Sequence, residues 1–235
     1  MNADALILAA HPDDAEIHCG GTILKLVAAG RRVVLADMTR GEKGTRGTAD
    51  LRAAECAAAT AMLGVAAREN LALPDTALRD DDAALAAVLG AIRRHRPRLM
   101  FAPWPKDLHP DHEATGKVAR RAWFHAGLRN VHPELGEPFR PGMLLFYPSH
   151  DAVEPTLCVD ITDHVDAKQQ VIACYASQIA ASQRTHLVRG LDPMERALAA
   201  DRFHGSRVGC KAAEPFVHDG PLRVTDLGLL LPLGS

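Results

Sequence analysis

Strand-like apolar runs alternate with helix-like segments through the first 150 residues of this 235-residue chain. Runs such as ALILAA (5–10) and RLMFAP (98–103) are short and apolar, which is typical of buried strands. Strands alternating with helices form βαβ units, because a parallel strand needs a long crossover connection. We therefore expect an α/β fold, a Rossmann-like three-layer sandwich with a mostly parallel sheet. The expected strands are residues 5–10, 31–39, 69–75 (a short strand and turn), 98–103, 143–148, 156–161 and 213–217, and the expected helices are residues 15–29, 51–64, 81–97 and 112–127.

The last third of the chain has a different pattern. Residues 164–210 predict a helical C-terminal extension with two amphipathic segments, DHVDAKQQVIACYASQ and DPMERALAADRFHG. The chain shows no internal repeat, low-complexity tract or linker, and its 47% of hydrophobic residues is enough for a full core. We expect a single domain over residues 1–235.

Composition argues against several classes of protein. The net charge is −2, without the basic surplus of a nucleic-acid-binding protein. The five cysteines are widely spaced and never form CxxC, which argues against a structural thiolate zinc site and favours a reducing compartment. The N-terminus lacks signal-peptide character, and no apolar run reaches the length of about 18 residues that a membrane helix needs. We expect a cytoplasmic protein with no membrane partner.

Two similar motifs follow predicted strands. HPDD (11–14) follows the first strand, and HPDH (109–112) lies a few residues after RLMFAP. Ligands of open α/β sheets bind beyond the carboxyl ends of the strands, so both motifs can face one crevice. The first and fourth residues of each motif would share a face if the motif begins a helical turn. Proline at the second position suits such a turn, because its missing N–H would have no partner there.

These residue types fit a metal site. Imidazole nitrogens and carboxylate oxygens are ligands of Zn²⁺, and three protein ligands leave a position open for water. Zinc lowers the pKa of bound water to about 7, and a neighbouring carboxylate can then accept its proton. A single His or Asp at a helix start is more often a cap, but two matched copies favour an active site. Such a mixed site also accepts other divalent metals.

Further motifs accompany the two histidine motifs: TRGEKGTRG (39–47), an R-x-x-E at 52–55 and LPD at 73–75. Together they resemble the LmbE-like (PIG-L) zinc-dependent N-deacetylases over most of the chain. The stretches ITDHVDAKQQVIACYASQ and RFHGSRVGCKAAEPFV resemble the branch that deacetylates N-acetylglucosaminyl malate in bacillithiol biosynthesis. Other branches act on the mycothiol precursor, chitobiose or the phosphatidylinositol anchor precursor.

The resemblance implies a role for each polar residue of the two motifs. His11, Asp14 and His112 would bind one zinc ion. Asp13 would be the general base on the metal-bound water. His109 would stabilise the tetrahedral oxyanion or protonate the leaving amine, and Asp111 would orient it.

The resemblance also implies residues on the substrate side. Arg52 and Asp75 would hold sugar hydroxyls, although Arg52 can equally pair with Glu55 on its own helix. Glu42, in the loop after the second strand, is a further candidate for a sugar contact.

Two cations share the loop that carries Glu42. Lys43 and Arg46 would suit the two carboxylates of a malyl group, and solvated loop charges are the equal alternative.

Two other classes of function compete with the hydrolase. A Rossmann-type nucleotide carrier would use the same crevice, but the chain lacks the G-x-G-x-x-G fingerprint. A metal-storage protein needs no base, which the presence of Asp13 disfavours. We expect a small amino-sugar substrate, no nucleic-acid partner, and a homo-oligomer, with a hexamer suggested by related enzymes.

Overall fold

The computed structural model describes residues 2–179, 192–222 and 226. A five-stranded, wholly parallel sheet lies at its centre, with strand order β3-β2-β1-β4-β5. Its strands are β1 (Ala5–Ala9), β2 (Val33–Asp37), β3 (Ala67–Asn70), β4 (Leu99–Pro103) and β5 (Met143–Tyr147). This order confirms the Rossmann-like α/β prediction. The third strand begins two residues earlier than expected, and most of the predicted 69–75 segment is the turn that follows it.

Helices cover both faces of the sheet. They are α1 (Asp14–Ala28), α2 (Ala49–Leu63), α3 (Asp82–His95), α4 (Pro110–His125), α5 (Val165–Ala173), α6 (Ala176–Ile179) and α7 (Pro193–Val208), with short 3₁₀ turns at Pro133–Leu135 and Thr162–His164. Alternate side chains of β1 pack into two separate hydrophobic cores, because successive side chains of a strand point to opposite faces of the sheet. Leu6 and Leu8 pack with α3 and α4, whereas Ile7 packs with α1, α2 and α5. The three-layer sandwich follows from this alternation.

The last two predicted strands form, but they do not join the main sheet. Strand β6 (Leu157–Asp160) pairs antiparallel with β7 (Ala213–Phe216) in a separate two-stranded sheet. One bridge between Phe146 and Val217 connects this small sheet to β5. Between the two strands, the described part of the predicted helical extension (164–210) forms α5, α6 and α7, and residues 180–191 lie outside the described residues.

A buried ionic cluster ties the C-terminal elements to α1. Lys168 of α5 is fully buried, and its Nζ lies 2.6 Å from Asp201 of α7 and 2.8 Å from Glu214 of β7. The Glu214 carboxylate also accepts a hydrogen bond of 2.8 Å from the amide of Gly21. A Cβ at Gly21 would lie 2.7 Å from side-chain atoms of Ile161, so glycine is required there for the close approach. This packing places α7 beside the carboxyl end of β1.

Among the helices of the described residues, none is long and apolar enough to cross a membrane.

Candidate active site

The two histidine motifs meet where the strand order reverses. β1 and β4 are neighbours in the sheet, and the connections leave them in opposite directions. Residues 11–14 follow the carboxyl end of β1, and residues 107–112 follow that of β4. A crevice forms at such a switch point, because the loops diverge on either side of it. The predicted convergence of the two motifs is confirmed.

The backbones of the two motifs differ. In HPDH, His109 is the N-cap of α4 and Pro110 is its first residue, as predicted. In HPDD, α1 begins only at Asp14, so Pro12 lies outside the helix. Residues 11–14 form a turn, in which the Asp14 amide donates to the His11 carbonyl at 3.3 Å, but this turn is not helical. Asp13 precedes the helix with a φ of 130°, which L-residues rarely adopt. Arg52 stabilises this segment, because its Nη1 donates to the Pro12 carbonyl at 2.6 Å.

The three predicted metal ligands lie together. His11 Nδ1 is 3.4 Å from one Asp14 carboxylate oxygen, and His112 Nε2 is 3.3 Å from the other. Ligand atoms of all three residues lie within 4.8 Å of one another. Ligands of a tetrahedral zinc ion, at about 2.0–2.1 Å from the metal, are about 3.3–3.4 Å apart. The donor set fits a zinc ion in chemistry and spacing.

The outer nitrogen of each ligand histidine is held by an acceptor. His11 Nε2 lies 3.1 Å from Asp111 and 3.3 Å from Asp75. His112 Nδ1 lies 2.8 Å from Ser149 Oγ, which itself donates to Asp107 at 2.5 Å. Carboxylates only accept, and the one serine proton is already donated, so both outer nitrogens carry the hydrogen.

In the neutral form of each ring, the inner nitrogen therefore presents a lone pair toward the Asp14 carboxylate. Two such nitrogens and a carboxylate facing one point form a donor set that can hold a metal cation. This network fixes the histidine tautomers in the form that binds metal.

The electrostatics of the site agree with cation binding. Burial opposes a charge on His11, yet hydrogen bonds to Asp111, Asp14 and Asp75 raise its pKa to about 12. Burial likewise opposes ionisation of Asp14, but His112 and His11 hold the pKa of this carboxyl well below its usual range. The surrounding carboxylates thus favour positive charge at the centre.

Asp13 has the properties of a base beside this centre. Burial raises the pKa of Asp13 to about 7, against the opposing charge of Arg52. Arg52 Nη1 lies 3.1 Å from Asp13 Oδ2. The alternative pairing of Arg52 with Glu55 does not form, because the Glu55 carboxylate accepts from the amide and hydroxyl of Ser177.

His109 faces the site with one nitrogen engaged. Its Nδ1 accepts a hydrogen bond of 3.2 Å from the Asp111 amide, so in the neutral ring Nε2 carries the hydrogen. Burial and the neighbouring charges of His112 and His11 lower the pKa of His109 to about 4. His109 is therefore a neutral hydrogen-bond donor.

The expectation that the Asp111 side chain orients His109 is not met. The Asp111 carboxylate contacts His11 and accepts from the amides of Thr76 and Leu78, at 2.8 and 3.2 Å. It therefore orients His11 and anchors the loop after β3, and only the Asp111 amide reaches His109.

The cavity above this centre has a volume of about 960 Å³. The three ligand residues line it together with Asp13, His109, Arg52, Asp75 and Lys43. The opposite wall comes from the loop after β5 and from α7, with Arg196, Ala200 and Phe203 among its residues.

Two residues of the 41–50 loop do not match the predicted substrate contacts. Glu42 does not line the cavity, and its carboxylate instead accepts from the amides of Asp75 and Arg40, at 3.0 and 3.2 Å. Arg46 donates to the Gln178 carbonyl at 3.2 Å and also lies outside the lining. Glu42 therefore links the 41–50 loop, which carries Lys43, to the segment after β3, which carries Asp75, and both of these residues line the cavity.

Comparison with known proteins places this site in a family. The family model PIG-L, described as GlcNAc-PI de-N-acetylase, matches residues 6–123, which is half of the chain. A diacetylchitobiose deacetylase of Thermococcus kodakarensis is 33% identical over 187 residues, covering 74% of this chain and 69% of that protein. The chain belongs to the PIG-L family. By this membership it is a deacetylase, which is a hydrolase.

Two further proteins are similar over at least as much of the chain. A 1D-myo-inositol 2-acetamido-2-deoxy-alpha-D-glucopyranoside deacetylase of Rhodococcus erythropolis is 26% identical, covering 75% of this chain and 81% of that protein. The crystal structure of a conserved protein from Thermus thermophilus superposes with a TM-score of 0.86 and 37% identity, covering 95% of this chain and 97% of that one.

The PIG-L match contains both histidine motifs but excludes the opposite wall of the cavity. Ser149, His150 and Arg196 all lie beyond residue 123. Sequence reasoning missed Ser149 and also Asp107, although Asp107 precedes HPDH by only two positions. The signal for Asp107 was its place in the loop after a strand, whereas Ser149 becomes visible only once β5 is known to neighbour β4.

Proposed function

We propose that this deacetylase is zinc-dependent and removes the acetyl group from an N-acetylglucosamine conjugate. The supporting observation is the pair of inward-facing nitrogens on His11 and His112 around Asp14, with the Asp13 carboxylate beside them. Because a mixed nitrogen and oxygen site also binds other divalent metals, the metal content of the purified protein tests the choice of zinc.

The residues divide the hydrolysis between them. When bound, zinc supplies a water of lowered pKa and polarises the acetamide carbonyl. Asp13 accepts the proton of the attacking water, and a pKa of about 7 suits that task. The Nε2–H of His109 donates to the acetamide oxygen as it gains negative charge. Because His109 stays neutral, Asp13 then delivers its proton to the leaving amine.

For the substrate we propose N-acetylglucosaminyl malate. The cavity is large enough for a sugar with a substituent, and the exposed Lys43 on its lining suits a carboxylate. The mycothiol precursor, chitobiose, a thiol conjugate and an antibiotic precursor are the alternatives. When zinc-loaded protein is incubated with each of these compounds, we expect the malate conjugate to release the most free amine. If another compound releases more, that compound replaces N-acetylglucosaminyl malate as the proposed substrate.

The ligand and base roles are separated by three alanine variants. Asp13→Ala should retain zinc and lose turnover, because it removes the base and leaves the ligands. His11→Ala should lose both. Asp166→Ala, on the exposed face of α5, is the control and should change neither. Full zinc in His11→Ala would show that the ligand assignment is wrong.

Assembly and location belong to the same proposal. We propose a homo-oligomer in the cytoplasm, with a hexamer as one form, and light scattering of the purified chain tests the assembly.

A further inference from the structure

The loop after β5 is held on two sides. The amide of His150 donates to Asp107 Oδ2 at 3.1 Å. From the other side, Arg196 of α7 donates to the carbonyls of Ser149 and His150, at 3.0 and 2.8 Å. These contacts come from elements far apart in sequence, so the position of the loop is fixed by tertiary structure. A residue held this firmly is preorganised for binding.

The side chain of His150 is oriented as well. Its Nδ1 lies 2.8 Å from Asp107 Oδ1. Since a carboxylate only accepts, Nδ1 carries the hydrogen, and Nε2 of the neutral ring is an acceptor. His150 lines the cavity, and within the described residues no protein partner contacts its Nε2.

His150 also lies close to the reaction centre. Its ring centroid is 5.0 Å from that of the ligand His112 and 5.9 Å from that of His109. Unlike His11 and His112, it makes no described contact with Asp14. A substrate bound at the centre is therefore within reach of His150 without His150 being part of the ligand set.

His109 and His150 present opposite polarity to the cavity. The Nδ1 of His109 accepts from a backbone amide, which leaves Nε2–H as a donor. The Nδ1 of His150 donates to Asp107, which leaves Nε2 as an acceptor. An acetamido sugar offers a carbonyl oxygen for the donor, and hydroxyls and an amide N–H for the acceptor. The two histidines thus match complementary groups of one substrate.

We propose that His150 is a substrate-binding residue whose Nε2 accepts a hydrogen bond from a hydroxyl or the amide N–H of the acetamido sugar. Asp107 is the positioning residue that fixes its tautomer. The substrate class rests on the function proposed above, whereas the tautomer does not.

Two variants separate substrate binding from support of the loop. His150→Asn places an amide near the position of Nδ1, where it can still donate to Asp107, but removes the atom at Nε2. With the zinc-loaded chain we expect a KM about tenfold higher, because one hydrogen bond is lost, and an unchanged kcat. The side-chain amide of His150→Gln reaches the position of Nε2, so its KM should lie between those of the parent protein and His150→Asn.

Zinc content and controls complete the kinetic test. His218→Asn is the matched control, because the Nδ1 of His218 binds the Gly220 carbonyl away from the cavity lining. Zinc content and Tm of His150→Asn should equal those of the parent protein. A parental KM, or a loss of zinc, would overturn the binding role.

The tautomer can be measured without turnover. ¹⁵N NMR of histidine-labelled, zinc-loaded Asp13→Ala protein should show a protonated Nδ1 on His150 and a protonated Nε2 on His109. Adding the substrate, or N-acetylglucosamine as the probe, should shift the Nε2 resonance of His150. A protonated Nε2 on His150, or no shift with any acetylated sugar that binds, refutes the inference. If no acetylated sugar is hydrolysed but the tautomers agree, the function proposed above fails while the Asp107–His150 arrangement stands.

Discussion

Replacing Ser149 by alanine tests how much the outer partner of His112 contributes to metal binding. The Ser149 hydroxyl bridges His112 Nδ1 at 2.8 Å and Asp107 Oδ2 at 2.5 Å. Loss of such a partner lowers metal affinity by about 10- to 100-fold, or about 1.4 to 2.7 kcal/mol. Asp107 Oδ1 remains 3.8 Å from the same nitrogen and offsets part of the loss. We therefore expect the lower end, about tenfold.

The assay is competition for zinc between the protein and a chromophoric chelator. Ser206→Ala is the matched control, because the Ser206 hydroxyl binds a carbonyl on an exposed part of α7. Asp107→Asn should weaken zinc binding further, because Asp107 also holds the His109 amide at 2.8 Å. Circular dichroism of the metal-free variants checks that each one folds. A zinc Kd for Ser149→Ala within twofold of the Ser206→Ala value would refute the reasoning.

Two further substitutions test the base and the packing of α1. Arg52→Ala removes the positive charge that lowers the pKa of Asp13, so that pKa should rise. The acid limb of the pH profile of kcat/KM should then move to higher pH by about 1–3 units. Arg52→Lys keeps a charge and should give a smaller shift, and an acid limb that does not move in Arg52→Ala would contradict the pairing. Gly21→Ala should lower the free energy of unfolding by about 1–2 kcal/mol, because the clash with Ile161 exceeds the gain in helix propensity. Gly90→Ala, whose Cβ would find its nearest atom at 3.9 Å, should be neutral or stabilising in the same urea titration, and equal effects of the two would argue against the clash.

The sheet and the convergence of the two histidine motifs were predictable because their signals are local. Each buried strand is a short apolar run, and each motif follows the end of one. The parallel order then brings these ends together without any further information. The ligand roles of His11, Asp14 and His112 came from the resemblance to the PIG-L family and stay a prediction.

The backbone of the HPDD segment before α1 was not predictable from the sequence. HPDD and HPDH share their first three residues, yet only the second motif enters its helix at proline. The difference lies in Arg52, which binds the Pro12 carbonyl and the Asp13 carboxylate from a helix about 40 positions away. Such a contact overrides local preference, and it places the base beside the metal ligands. The strain at Asp13 is thus a consequence of its proposed task.

The pairing of β6 was not predictable for a similar reason. An apolar run such as TLCVDI predicts a strand, but it does not predict which other strand pairs with it. Its partner β7 lies more than fifty residues later, beyond α7, and the pair is antiparallel. Register between such distant segments depends on packing, which here includes the buried Lys168–Glu214 contact.

The two halves of the chain contribute different parts of the site. The proposed ligands and the proposed base come from the segments that follow β1 and β4, within the residues that match the PIG-L family. The residues that hold His112 from outside and face the substrate come from the loop after β5 and from α7. Because Arg196 fixes the carbonyls of Ser149 and His150, a shift of α7 would alter the metal site and the substrate wall together. Metal affinity and substrate choice should therefore change together in variants of this interface, while variants of Asp13 should change turnover alone.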